Sequence, residues 1–168
     1  MARSEFKISV TRLSKAPGSR MDLDLEGELS EVFVTSARVA QGIKTHLWGY
    51  LESVYSGILF TGFAEVEIET ECRRCLSVTK SRLKVDIQEL FEQDFQSDEG
   101  DTYPIEGEFV NLAEMARDAL VLGLPAAPLC KPDCKGLCQA CGNDLNQRDC
   151  GHRDGGIDPR FRILDQLK

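Results

Sequence analysis

The 168-residue sequence predicts an α+β protein: an antiparallel β-rich domain with one main helix over residues 1–128, followed by a cysteine-rich segment, 129–168, ending in a short helix. Three observations lead there. Polar and apolar residues alternate with period two through much of the first 90 residues, the pattern of half-buried strands. A single stretch over residues 111–123 places apolar side chains at helical spacing behind a good cap. Beyond Pro128 the composition shifts to Cys, Gly, Asp and Asn, too poor in apolar residues to fold without a staple.

The strands come first. Asp22 to Leu29 alternates strictly, and Glu31 to Val39 and Leu47 to Val54 continue the β-rich composition. Turn signals at Pro17-Gly18-Ser19 and Gln41-Gly42 separate them. From Ile58 to Ile87 the chain reads as one hairpin with Arg73-Arg74 as a two-residue turn between Cys72 and Cys75. In that register Glu67 faces Lys80 and Glu65 faces Arg82, while Phe60, Ala64, Val66 and Ile68 share the opposite face with Val85 and Ile87. Opposite charges directly across an antiparallel pair stabilise by about 0.2–1 kcal/mol each. Arg73-Arg74 is a poor hairpin turn on its own, because neither residue favours positive φ. A metal gripping both flanking cysteines would supply the missing restraint.

An acidic loop is expected from Gln93 to Glu106, and the helix follows it. Asn111 is its N-cap, Glu114 three residues later fits a capping box, and Leu112, Met115, Ala116, Ala119 and Leu120 form its apolar stripe. Gly123 and Pro125 stop it. A last short helix is expected over 159–167, capped by Asp158, with Phe161, Leu164 and Leu167 on one face.

Composition bounds the function. With 42% hydrophobic and 29% charged residues the chain reads as globular. It has no apolar run of about 20 residues to span a membrane, so no membrane association is expected. The N-terminal Met1-Ala2-Arg3-Ser4-Glu5-Phe6-Lys7 has no signal-peptide character, so the expected location is the cytoplasm. Thiols stay reduced there, and clustered cysteines bind metal more often than they form disulfides.

Seven cysteines and His152 make eight donors, two tetrahedral sets. They occur as Cys72-x2-Cys75, Cys130-x3-Cys134, Cys138-x2-Cys141 and Cys150-x-His152. Zinc takes thiolate and imidazole in fours, and two residues between cysteines let both sulfurs reach one ion from a tight turn. Cys138-Gln139-Ala140-Cys141-Gly142 is a zinc-knuckle sequence. Cys134 and Cys138 stand too close in sequence for their pairs to share an ion without a cramped path. Spacing therefore favours Cys138, Cys141, Cys150 and His152 around one zinc and Cys72, Cys75, Cys130 and Cys134 around a second. The second set would pin the C-terminal segment onto the hairpin.

Enzymatic readings fare worse. A thiol oxidoreductase places Cys-x2-Cys at a helix N-terminus, whereas this pair sits in a charged hairpin. A zinc hydrolase needs an open coordination position and a general base, and both sets here fill with protein donors. His46 lies in a strand beside Leu47 and Trp48 and reads as structural. No Ser/His/Asp set, P-loop or dinucleotide loop is present, so neither catalysis nor a small-molecule substrate is expected.

The charges are polarised. The net charge of −8 argues against a surface that coats nucleic acid throughout. Yet between Cys72 and Lys84 every charge is basic: Arg73, Arg74, Lys80, Arg82 and Lys84. From Val85 to Ala113 every charge is acidic: Asp86, Glu89, Glu92, Asp94, Asp98, Glu99, Asp101, Glu106 and Glu108.

Taken together, Glu71-Cys72-Arg73-Arg74-Cys75-Leu76, the helix ending in Leu124-Pro125, the block Pro128 to Gly142, Asn143-Asp144-Leu145-Asn146 and Ile157-Asp158-Pro159-Arg160-Phe161 resemble the YceD family. Gln139 stands where many relatives are expected to carry proline. Members are known as large ribosomal RNA subunit accumulation proteins, associated with synthesis or processing of that RNA in bacteria and plastids. The resemblance implies a non-enzymatic role in ribosome biogenesis. Two binding modes follow. The five basic residues of the hairpin would meet phosphate on ribosomal RNA or a pre-ribosomal particle. Alternatively, the acidic run Asp86 to Glu108 would hold a basic ribosomal protein or an RNA-processing factor.

Overall fold

A computed structural model describes residues 5–40, 42–93 and 102–152. The expected α+β class is overturned: strands make up 48% and helix only 12%, and the sheet curls into a half-barrel. The elements are β1 (Lys7–Ser9), α1 (Thr11–Ser14), β2 (Arg20–Glu28), β3 (Phe33–Val34), β4 (Ala37–Val39), β5 (Lys44–Val54), β6 (Gly57–Glu71), β7 (Val78–Glu92), β8 (Tyr103–Glu106), β9 (Phe109–Asn111) and α2 (Leu112–Gly123). The expected helix is there, but it lines a β structure and does not form a layer of its own.

Strand β6 organises the sheet. It pairs with β7 along its whole length, with β5 through its first half and with β4 near its end. Strand β5 carries β2 on its far side, and β7 continues through β8 and β9 to β1. Gly49 and Gly62 lie directly opposite each other where β5 and β6 cross. A Cβ on Gly62 would strike the Trp48 carbonyl and the Phe60 ring. Paired glycines of this kind let two strands close in and coil tightly. The inner face buries Leu47, Leu51, Phe60, Ala64 and Phe91 completely, and α2 covers it with Leu112, Met115, Ala116 and Leu120. Full burial of each large side chain is worth about 1.5–3 kcal/mol, and this is what holds the body together.

The hairpin differs from its expected register in an instructive way. Thr70 faces Thr79 and Glu67 faces Arg82, two residues along from the sequence-based register. The connection is not a two-residue turn but the loop Cys72 to Ser77. In it Leu76 donates its amide to the Cys72 carbonyl and takes a φ of 60°. A shift of two keeps every side chain on its expected face. The expected ion pairs also survive, as diagonals: Arg82 reaches Glu65 at 3.3 Å and Lys80 reaches Glu67 at 3.6 Å.

Other expectations change as well. The stretch Glu31 to Val39 breaks into β3 and β4 around Thr35-Ser36. Within the expected acidic loop, residues 103–106 form β8, and Asp86, Glu89 and Glu92 sit on β7. Asp94, Asp98, Glu99 and Asp101 lie outside the described residues, as does the expected helix 159–167. Helix α2 starts as read from the sequence, with the Asn111 Oδ1 accepting from the Ala113 amide at 3.2 Å. Glu114 pairs with Arg117 at 3.9 Å.

Candidate metal centres

The tail returns from α2 to the hairpin tip through backbone bonds. The Arg73 amide donates to the Pro128 carbonyl at 3.0 Å, and the Leu137 amide to the Arg74 carbonyl at 3.0 Å. Gly136, at a φ of 77°, makes this approach possible, since a Cβ there would crowd the Arg74 carbonyl. The Arg74 guanidinium donates to the Cys134 carbonyl at 2.8 Å.

This path gathers the eight donors into two groups, Cys72 with Cys75, Cys130 and Cys134, and Cys138 with Cys141, Cys150 and His152; within each, the ligand atoms lie within 4.8 Å of one another. It is the division that spacing favoured. In the first group, the hairpin centre, Cys72 Sγ and Cys134 Sγ are 3.8 Å apart, and Cys75 Sγ and Cys130 Sγ 3.5 Å. A tetrahedral ion with metal–sulfur bonds of about 2.3 Å would set its sulfurs about 3.8 Å apart, whereas a disulfide needs about 2.0 Å. In the second group, the tail centre, His152 Nδ1 stands 3.4 Å from Cys150 Sγ. The spacing in both fits a cation and excludes a bridge between these sulfurs.

The electrostatics fit a cation too. The Cys130 amide, opposed by burial and helped by the amides of Cys75 and Arg74, brings the Cys72 thiol down to about 6. The amides of Cys141 and Ala140 bring Cys138 down to about 7. Burial and hydrogen bonds to the neighbouring thiols push Cys130 up to about 12. Amides therefore favour thiolate at one sulfur while the next is held protonated, and a divalent ion among them relieves that conflict. Each set offers four donors, the number that a tetrahedral structural zinc site uses. The centres differ in exposure: Cys72, Cys75 and Cys134 are buried, while Cys141 and His152 are exposed.

Lys80, Arg82 and Lys84 alternate along β7 and share its exposed outer face, while Arg73 and Arg74 sit in the loop at its tip. Lys80 and Arg82 are paired with Glu69, Glu67 and Glu65 across the sheet. Lys84 lies over the Phe63 and Trp48 rings at 4.1 and 5.1 Å. Arg74 is committed to the tail. Arg73 alone of the five projects from the tip with no side-chain partner among the described residues. His46 is structural, stacked on Trp48 and bonded to Asp24 at 2.7 Å.

Two participants escaped the sequence. Ser77 Oγ lies 3.0 Å from Cys75 Sγ, and Asn146 Nδ2 donates to Cys134 Sγ at 3.3 Å. Ser77 left no signal. Asn146 left one, the Asp-x-Asn spacing of a local side-chain turn, which forms here with the Asn146 amide on Asp144 Oδ1 at 2.9 Å.

Residues 60–168 match the family model described as large ribosomal RNA subunit accumulation protein YceD. The uncharacterized protein Rv2926c of Mycobacterium tuberculosis is 33% identical over 170 residues, covering 98% of this chain and 82% of that protein. Protein ML1660 of Mycobacterium leprae is 28% identical over 171 residues, covering 98% of this chain and 78% of that one. The chloroplastic large ribosomal RNA subunit accumulation protein YCED homolog 1 of Arabidopsis thaliana is 31% identical over 70 residues, 39% of this chain and 22% of that protein. No solved structure matches. Both Cys-x2-Cys pairs, the tail and most of the long hairpin fall inside the matched region, and the chain belongs to the YceD family.

Proposed function

We propose that this chain is a non-enzymatic zinc protein that supports accumulation of large-subunit ribosomal RNA by binding that RNA, or an assembly intermediate containing it, with the tip that its metal centres shape. The observation that carries the reading is the gathering of eight donors into two sets of four, one joining hairpin to tail and one within the tail. Zinc is the ion because thiolate and imidazole in fours suit it. It holds the tip together and does no chemistry on a substrate. Around it Arg73, Lys135 and Arg148 are exposed and make no ion pair among the described residues. They stand beside the metal centres and are open to phosphate, whereas Lys80 and Arg82 on β7 are ion-paired. The test is salt-dependent binding of a large-subunit ribosomal RNA fragment. Substituting Arg73→Ala and Lys135→Ala is expected to weaken binding and flatten the slope of log K against log salt by about 0.7–0.9 per lost contact. An unchanged slope removes this surface from the proposal.

A protein partner is the second reading, favoured by a different observation. Phe33 and Val78 are each 63% exposed on the outer face. They line a hollow of about 490 Å³ with Glu71 and with the ion pair of Arg38 and Glu69. Exposed apolar side chains beside carboxylates suit a basic protein segment better than RNA. Under that reading, Phe33→Ser abolishes partner binding and Arg73→Ala leaves it intact.

A further inference from the structure

The Asn143–Asn146 segment belongs to the loop closed by the tail centre, between Cys141 and Cys150. Yet it reaches back to the hairpin centre. The Leu145 amide donates to the Gly136 carbonyl at 2.9 Å, and Leu137 bridges to Asp144. This sets the Asn146 side chain against Cys134. Its Oδ1 accepts from the Lys135 amide at 2.9 Å. Its Nδ2 donates to Cys134 Sγ at 3.3 Å and to Asp144 Oδ1 at 2.7 Å. The Lys135 N–H needs an acceptor, which fixes the orientation of the carboxamide and aims its N–H at sulfur.

We infer that Asn146 is a positioning residue for the hairpin centre, held in place by the loop that the tail centre closes, so that metal binding at the two centres is coupled. The inference rests on the zinc reading above. An N–H directed at a thiolate stabilises its charge, lowers its basicity and fixes its direction. Partners of this kind outside the ligand set are worth about 10- to 100-fold in metal affinity when removed. The tail centre closes this loop between Cys138 and Cys141 on one side and Cys150 and His152 on the other. Opening that loop frees Asn146 from the geometry that serves Cys134.

Cobalt(II) is the probe, because its absorption separates a four-sulfur centre from one with three sulfurs and a nitrogen. The wild-type chain is expected to take up two ions per chain and show both spectra. The double substitution Asp144→Asn with Asn146→Asp keeps an acceptor for the Lys135 amide, avoids two facing carboxylates and removes the donor from Cys134. It is expected to speed loss of cobalt from the four-sulfur centre to EDTA by at least about tenfold, leaving the other centre unchanged. The new carboxylate also repels the Cys134 thiolate, so Asn146→Ala, which removes the donor and adds no charge, is measured beside it: a rate within twofold of wild type in that variant overturns the inference. Opening the tail centre with Cys138→Ser and Cys141→Ser is expected to cost the four-sulfur centre a similar factor, with no further loss when the 144/146 exchange is added. A four-sulfur centre indifferent to that opening overturns the coupling. Uptake of fewer than two ions by the wild type overturns the zinc reading and this inference with it; two ions with an unmoved four-sulfur centre overturn the inference alone.

Discussion

The sheet body and the cysteine-rich tail are held together by different physics. In the body, twenty buried apolar residues form one continuous core. In the tail, the buried cluster at the junction is Cys72, Cys75 and Cys134, with Cys130 and Leu137 packed against it. Removing apolar area from water stabilises in proportion to that area, and the described part of the tail, residues 129–152, has little of it to remove. Its order comes from backbone bonds to the tip and from side-chain turns, and its eight donors stand in two sets of four that could each hold an ion. The contrast teaches that two ordered regions of one chain can respond to opposite perturbations.

The strongest test separates them by metal. Stripping zinc with a chelator under native conditions is expected to remove hydrogen-exchange protection from residues 128–152 while β5, β6 and β7 stay protected, because binding energy at structural zinc sites is of order 10 kcal/mol. Loss of protection in both regions would break the comparison. The complementary perturbation is Phe60→Ala, which empties a fully buried position. It is expected to cost about 3–5 kcal/mol in urea unfolding of the body, with two zinc ions still bound under native conditions. Smaller is Arg74→Ala, which cuts a bond between tip and tail. About 1.5 kcal/mol is expected, read as faster thiol modification at Cys134 with an unchanged urea midpoint for the body. Smallest is Asn111→Ala, which removes the α2 cap. It should cost about 1 kcal/mol in the body's urea curve and leave metal uptake untouched.

How much of this could be read from residues depends on whether their pattern was unique. The four-and-four division of donors was legible because chain length between pairs admits few loops. The Asn111 cap and the inner face of β6 were legible for the same local reason. The hairpin register was not. Glu65, Glu67 and Glu69 face Lys84, Arg82 and Lys80 with a common period of two. Any even shift keeps opposite charges opposed and apolar side chains inward, so the pattern cannot choose. The choice is made by the six-residue loop, with Leu76 at positive φ, that aims two sulfurs inward. The class was misjudged because β1, β8 and β9 have three or four residues each. That is too short for any periodicity, and they join partners that only the folded chain brings together. Without them the helix weighs too heavily.

The separation of Cys75 from Cys130, 55 residues along the chain, also has a consequence during synthesis. Hairpin and tail leave the ribosome apart in time: at about 5–20 residues per second, the first pair waits roughly 3–11 s for the second. Through that interval the nascent chain carries half a donor set at the end of a long ribbon: Ser77 already lowers the pKa of Cys75, while the Cys130 amide that lowers Cys72 has yet to be made. Thiols with a lowered pKa are the ones that oxidants and stray soft metals find first. The order of the cysteines in the chain thus makes correct metallation a race against the cell's own redox chemistry, decided before the protein is complete.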